Sequence, residues 1–577
     1  MKRLYIKLLC LIWVVLCVSC HNDLEDAFYD DEHICYAQSG DTTLFVHPFV
    51  HEGQQYVVLP SYWDTTKLVV SICDEPKREW GRIQSSSRPF DEDKMEEVKM
   101  IKSKLPTIFI QTKSGSMDFV NANKRNEETG HIVVVDTTGN VEYNGDLETI
   151  HGRGNTTWIK EKKPYSIKFP YKTSFCGLKK AKKFNLLSQP CDPTGLRNWM
   201  AMSAAKQMGQ NENMAFSFAN VYLNGNYAGC YLVTNKVDRK CQHDFLLEIG
   251  PLPHVNPDEM QATFQLTHSR SLTVKTPKQP TSEQLTYIEK EWKRVKSAMI
   301  KDASEKNGHT TGSLIDTPSF VSNYLCQEIF MNLDAGIASV FIGKDSLGFF
   351  YADPIWDMEL SMSCPGNTRF GNGMYRVLYV GAGLPPDSTG YTGGWGMLYK
   401  NKIFRQQIPS YYFDRMKPIV QELFWGQAWT SIYSYLQTDM EINNLRWFDG
   451  ADFEEQCNQM RNWMKERLRF LDWVWNEEDE GSKCTVTLYK RDTTHPIQYV
   501  IPRNTRFSEQ LPMFESVDTT DIGFEYTFTG YEINDVPVDL DTLVVDKDIT
   551  VMGKWKQTKE PSLYQRFRVW FWNLRHK

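Results

Sequence analysis

The sequence predicts an α+β protein in which a mixed core lies between two small β modules. Three observations carry that expectation. Short runs of alternating apolar and polar residues fill the chain up to about residue 280. Apolar residues at helical spacing dominate from Ser282 to Trp475, and alternation returns from Cys484 onward. Periods of 2 and of 3.6 residues distinguish strands that bury one face from helices that do the same. A chain of 577 residues has room for roughly three or four domains at about 150 residues each.

The first strands are expected at Thr43–Val46 and Gln55–Leu59, and the charged, serine-containing stretch from Glu79 to Glu97 reads as a linker. A second β region opens at Leu105–Ile110 and continues through His131–Val135. Asp192-Pro193 announces a helix, with aspartate as N-cap and proline at the first helical position. Leu196, Met200 and Ala204 supply its apolar stripe and Gly209 its end. Asn224-Gly225 lies between two apolar runs, Ala219–Leu223 and Asn226–Val233, and predicts a two-residue hairpin turn. Helices are expected over Ser282–Ile300, Ser319–Met331, Gln406–Phe424 and Ala451–Trp475, and strands within Cys484–Lys556.

The net charge is −7, with 41% hydrophobic and 24% charged residues. That is an ordinary globular composition, and it argues against a dedicated nucleic-acid binder, which needs a basic face for phosphates. At the N-terminus, Met-Lys-Arg precedes an apolar run from Leu8 to Val18 that ends at Val18-Ser19-Cys20. This is the pattern of a bacterial lipoprotein signal, with Cys20 as the lipidated residue and export to the outer membrane or cell surface as its consequence. The acidic His21–Asp26 that follows is similar to surface-display signals of Bacteroides-type lipoproteins. Of the 13 cysteines, none beyond the leader forms a Cys-x-x-Cys pair, so a zinc site is not expected.

The stretch HGRGNTTWIKEKKPYSIKF, His151 to Phe169, places an arginine between two glycines and a lysine-bearing strand after them. Gly152 and Gly154 allow close backbone approach to a ligand, and Arg153 offers a fork of donors for phosphate oxygens, with Lys163 and Lys168 nearby. On the strand, Tyr165, Ile167 and Phe169 share one face, Ser166 and Lys168 the other. Alone, this reads as a turn with a solvated strand. Two acidic stations follow: Asp334 closes an apolar helix, and Asp357 with Glu359 ends an apolar run. Phosphoryl transfer needs cations on the phosphates, carboxylates for Mg²⁺ and one carboxylate for the acceptor hydroxyl.

These stretches, together with KKFNLLSQPCDPTGLRNWMA, VYLNGNYAGCYLVTNKV, FLLEIG, LTVKTP, CQEIFMNLD and PIWDMELS, stand in the order seen in the CotH kinases, which the chain resembles from about residue 105 to 470. The resemblance implies an atypical protein-kinase-like, two-lobed core and transfer of the ATP γ-phosphate, with Mg²⁺, to a protein hydroxyl. It assigns phosphate contacts to Gly152, Arg153, Gly154, Lys163 and Lys168, the catalytic acid to Asp334, and the metal to Asp357 and Glu359. Asn235 would border the adenine pocket. The expected plan is a signal peptide at 1–20, an N-terminal β module and linker at 21–98, a CotH-like kinase domain at 99–476, and a basic aromatic tail at 558–577. Residues 482–557 resemble a Listeria–Bacteroides-type β-grasp repeat.

Three positions depart from the family pattern: Glu359 stands where the family usually has aspartate, Asn235 where it often has glutamate, and Ser339 where an asparagine would assist a second metal. A non-catalytic surface lipoprotein, acting in adhesion or in glycan or protein binding, is therefore the rival reading. The lack of an obvious ATP source outside the cytoplasm favours that rival. Glycoside hydrolysis by Asp334 and Asp357 ranks below both, since it requires carboxyl groups roughly 5–10 Å apart across a sugar cleft.

Overall fold

The computed structural model describes residues 34–39, 42–61, 69–72, 78–79, 82–83, 98–210, 214–235, 243–251, 263–265, 270–305, 308–332, 334–335, 338–365, 378, 380, 395–476, 481–489, 496–506, 517–519, 525–540 and 542–560. The leader with Cys20, most of the expected linker and the tail from 561 lie outside the described residues.

The protein combines helices and strands, as an α+β reading requires. Seven strands close into a barrel: β1 (Thr107–Thr112), β2 (Glu127–Val135), β3 (Val141–Gly152), β4 (Tyr165–Phe175), β5 (Leu178–Leu187), β6 (Phe216–Leu223) and β7 (Asn226–Asn235). Their order is β2-β3-β4-β5-β7-β6-β1, and β6 closes on β1 in parallel. Closure removes sheet edges, and strand alternation then sends one set of side chains inward. Ile150 pairs with Ile167 and Gly152 with Tyr165, and Ile150, Tyr165, Ile167 and Phe169 all sit in the barrel interior. Burying an aliphatic side chain of this size stabilises by about 1.5–3 kcal/mol, so the inward register is fixed. Ser166 and Lys168 accordingly face out. Asn224 and Gly225 both have positive φ, 49° and 86°, at the β6–β7 turn, as the Asn-Gly pair requires.

A second sheet holds β8 (His243–Pro251), β9 (Thr263–Gln265), β10 (Arg270–Thr276), β11 (Val340–Asp345) and β12 (Phe350–Ala352), in the order β9-β10-β8-β11-β12. The main helices are α1 (Arg197–Gln207), α2 (Ser282–Glu305), α3 (Thr317–Ile329), α4 (Lys417–Trp425), α5 (Gln427–Trp447) and α6 (Phe453–Val474). A core separate from the barrel interior joins them to the outer face of β5–β7, through residues such as Leu187, Leu232 and Met200.

Several elements differ from expectation for identifiable reasons. The helix heralded by Asp192 starts at Arg197. The buried Asp192 carboxylate instead accepts from Thr194 N–H, the Thr194 hydroxyl and Arg197 N–H, and it pairs with the Arg197 guanidinium. The aspartate is spent on a turn before the helix. The expected helix 406–424 runs from Ile408 to Trp425, with a π-turn at Tyr412–Met416 inside it leading into α4. Pro409 sits in its first turn, where a missing N–H costs nothing, and Pro418 directly follows the π-turn. Helix α5, absent from the expectation, follows Gly426, whose backbone is extended.

Outside the barrel, strand Gln54–Pro60 pairs in parallel with Val98–Ser103. Phe49, Val58, Tyr222, Tyr227 and Ile442 share one core, so residues 46–60 pack on both the barrel and α5. Toward the C-terminus, strands Lys483–Tyr489, Pro496–Pro502, Val517–Thr519, Glu525–Ile533 and Ile549–Lys559 belong to one further sheet.

Candidate active site

The loop between β3 and β4 carries Arg153. Its base is closed by a hydrogen bond from Arg153 N–H to the Pro164 carbonyl, 3.1 Å. Gly152 faces the Trp158 ring so closely that a Cβ would collide with it, and Gly154 has φ +80°, a conformation glycine adopts without strain. Lys124 Nζ holds the Gly154 carbonyl at 2.8 Å. The half-buried Arg153 lies with its guanidinium 5.5 Å from the centre of the Trp356 ring. Burial pushes its pKa down, while the charges of Asp357 and Glu248 push it up; an arginine stays cationic throughout. Glu248 is itself paired with Lys275 at 2.9 Å.

The acidic loop 353–364 is bolted down from two sides. Asn198, in the first turn of α1, accepts from Met358 N–H at 2.7 Å, and Arg197 Nε donates to the Ser361 carbonyl at 3.1 Å. Met362 N–H donates to the Phe330 carbonyl, at the end of α3. The buried Glu359 carboxylate accepts from Cys191 N–H at 2.6 Å. Burial, with the nearby Asp357 and Asp192 carboxylates, raises its pKa to about 8, against the opposing pull of the Cys191 N–H and Lys162. Asp357 is exposed and has φ 60°, and it accepts from the Ser339 hydroxyl at 3.1 Å. Asp334 is half-buried; its N–H meets Asn332 Oδ1 at 3.1 Å, and its carbonyl accepts from Ala338 N–H, one residue before Ser339. The two acidic stations thus lie on adjoining turns.

Backbone strain gathers in the same place. Gln189, Met331, Ser339, Asp357, Met362 and Ser363 all have φ between 49° and 60°. Left-handed non-glycine residues cost of order 1–3 kcal/mol each and persist where surrounding structure over-determines them, which is a mark of functional sites.

The structure therefore brings Arg153, Asp357 and Glu359 into one electrostatic neighbourhood. The two lysines proposed for phosphate are engaged elsewhere. Lys163 Nζ donates to the Trp158 and Lys160 carbonyls at 3.1 and 3.4 Å and stands over the Trp158 ring. Lys168 pairs with Glu148 on the outer face of the barrel. Asn235 accepts from Ala215 N–H at 2.7 Å.

Sequence reasoning missed Lys162. It is only 4% exposed, and its ammonium donates to the Cys230 carbonyl at 2.6 Å and to Asn443 Oδ1 at 2.7 Å, 4.9 Å from the Tyr231 ring centre. Burial lowers its pKa to about 8, partly offset by Cys230, Glu359 and Asp192. It also missed the seat formed by Cys191, Arg197 and Asn198, although the motif containing them was conspicuous.

No cluster of three His, Cys, Asp or Glu residues suited to a metal occurs among the described residues. Mg²⁺ bound with a nucleotide needs only one or two carboxylates, since phosphates and water complete the octahedron. Glu359, buried beside other carboxylates and driven toward its protonated form, is an acid whose charge a cation would stabilise. Asp357 and Glu359 are in that sense a fitting donor pair.

The family described as CotH kinase protein matches residues 150–471, more than half of the chain. No curated protein matches.

Proposed function

The chain belongs to the CotH kinase protein family, and on that footing we propose that it transfers the γ-phosphate of ATP to a hydroxyl of an acceptor protein. The observation that carries the reading is the meeting of Arg153, Trp356, Asp357 and Glu359 between the barrel and the helical core. Arg153 grips phosphate oxygens, and the Gly152–Gly154 backbone lets the nucleotide approach. Asp357 and Glu359 hold Mg²⁺, which when bound neutralises phosphate charge. Asp334 accepts the proton of the acceptor hydroxyl. Cys20 anchors the protein by its lipid to the outer membrane or cell surface, where the acceptor is met.

The test is Asp334→Asn in the full-length chain. Autophosphorylation of the wild type, followed with labelled ATP, is expected to vanish in the variant while Tm stays within about 2 °C, because a half-exposed side chain contributes little to the core. Undiminished phosphorylation in the variant means that the base is another residue. A second reading, a surface protein that binds without catalysing, is favoured by the local engagement of Lys163 and Lys168. A wild type that binds Mg²⁺–ATP without phosphorylating anything supports it.

A further inference from the structure

From the latch around Lys162 we infer that this residue is a positioning residue, one that fixes Arg153 opposite the acidic loop by tying the 153–164 loop to both halves of the molecule. The inference rests on the phosphotransfer reading given above. Its geometry does not.

The cation spans three elements. Lys162 sits in the β3–β4 loop, two residues before Pro164, whose carbonyl receives Arg153 N–H. Its ammonium reaches the Cys230 carbonyl on β7 and Asn443 Oδ1 on α5. Asn443 Oδ1 also accepts Cys230 N–H at 3.1 Å, and Trp447 Nε1, one turn further along α5, donates to the Ala228 carbonyl at 3.0 Å. The Tyr231 hydroxyl donates to the Lys163 carbonyl at 3.0 Å. The loop is thus tied to β7 and α5 at Lys162 and again to β7 at the residue after it.

The site is built for this side chain. Gly229, with φ +103°, gives way to it: an added Cβ would lie 2.6 Å from Asn443 Oδ1, 2.8 Å from Trp447 Nε1 and 3.0 Å from Lys162 Cε. A buried ammonium is costly unless its donors are satisfied. Two are met by neutral oxygens, and the carboxylates that act on it from further off are Glu359 and Asp192. A lysine serving only to fill space would be replaced by a methionine without that cost. Here the charge joins the loop bearing Arg153 to α5, whose Asn444 donates to the Pro193 carbonyl at 3.0 Å, two residues from the Cys191 N–H that holds Glu359.

The experiment is a double-mutant cycle on the full-length protein, read as Kd for Mg²⁺–ATP by calorimetry. Lys162→Met is expected to weaken binding about tenfold, a usual consequence of displacing a positioned group. Arg153→Ala weakens it at least as much, and the double variant is expected to be no weaker than Arg153→Ala alone, since Lys162 acts through Arg153. Losses that add in the double variant overturn the inference and leave the phosphotransfer reading standing. A wild type that does not bind Mg²⁺–ATP overturns both. Should Lys162→Met not fold, Asn443→Leu removes the latch from the other side and keeps the cation; the same non-additivity with Arg153→Ala is expected, and additivity overturns the inference.

Discussion

Glu359 shows at the scale of one residue how burial and function pull on the same group. Its pKa of about 8 arises first from burial and then from the neighbouring carboxylates of Asp357 and Asp192. Between its ordinary value and 8, the folded chain holds a proton that the unfolded chain has released, so stability falls as pH rises across that window. Glu359→Gln keeps an acceptor for Cys191 N–H and removes the titration. The variant is expected to gain on the wild type in Tm from pH 5 to pH 8, by several degrees, in melts followed by circular dichroism. A difference independent of pH sinks the assignment. The glutamate itself was legible as a metal-binding candidate. Lys162 was not: alternation in β4 begins at Tyr165, and in the loop before it Lys160, Glu161, Lys162 and Lys163 are four charges in a row with no periodicity to say which turns inward.

Among elements, α1 is the one that seats the acidic loop. Its first turn supplies Arg197 to the Ser361 carbonyl and Asn198 to Met358 N–H. Asn198→Ala leaves that buried N–H without a partner, a loss of about 1–3 kcal/mol. The expected outcome is a lower midpoint in urea unfolding together with weakened binding of Mg²⁺–ATP; an unchanged midpoint contradicts the role given to Asn198. Much of this element was readable, since Leu196, Met200 and Ala204 were expected to be its apolar stripe and all three are buried. Its start was not. Asp192-Pro193 has the form of a helix N-terminus, but Gly195, with φ +63° and Met440 against it, interposes a turn first. Local signals announce that a turn is coming; tertiary contacts decide where the helix begins.

For the molecule as a whole, distant elements are held by a few buried polar ties laid over apolar packing. Arg467 on α6 and Glu328 on α3, both fully buried, meet at 2.7 Å, and the Tyr324 hydroxyl adds a bond to the same carboxylate. Removing one partner strands the other in a dry interior. Arg467→Met is expected to cost roughly 3–5 kcal/mol, seen as a large fall in the urea midpoint, and a change under 1 kcal/mol refutes that account. Asn220 and Lys104 N–H both bond Asp439 of α5, at 2.6 and 3.2 Å, and Tyr222 donates to the Val58 carbonyl at 2.5 Å. These contacts join positions more than 150 residues apart, and no window of sequence reveals them. The α+β class was legible because alternation and helical spacing are local properties. How barrel and helices close on one another depends on pairings that only the folded chain makes.

If residues from distant segments hold a nucleotide and its magnesium together, the pair must protect the folded chain against heat. The full-length protein is heated with ATP and Mg²⁺, with ATP and a chelator, and with Mg²⁺ alone. Ligand at about a hundred times its Kd stabilises by roughly 2.7 kcal/mol, so Tm is predicted to rise by several degrees with ATP and Mg²⁺ together and to stay put in the other two. A melting curve indifferent to all three additions contradicts the claim.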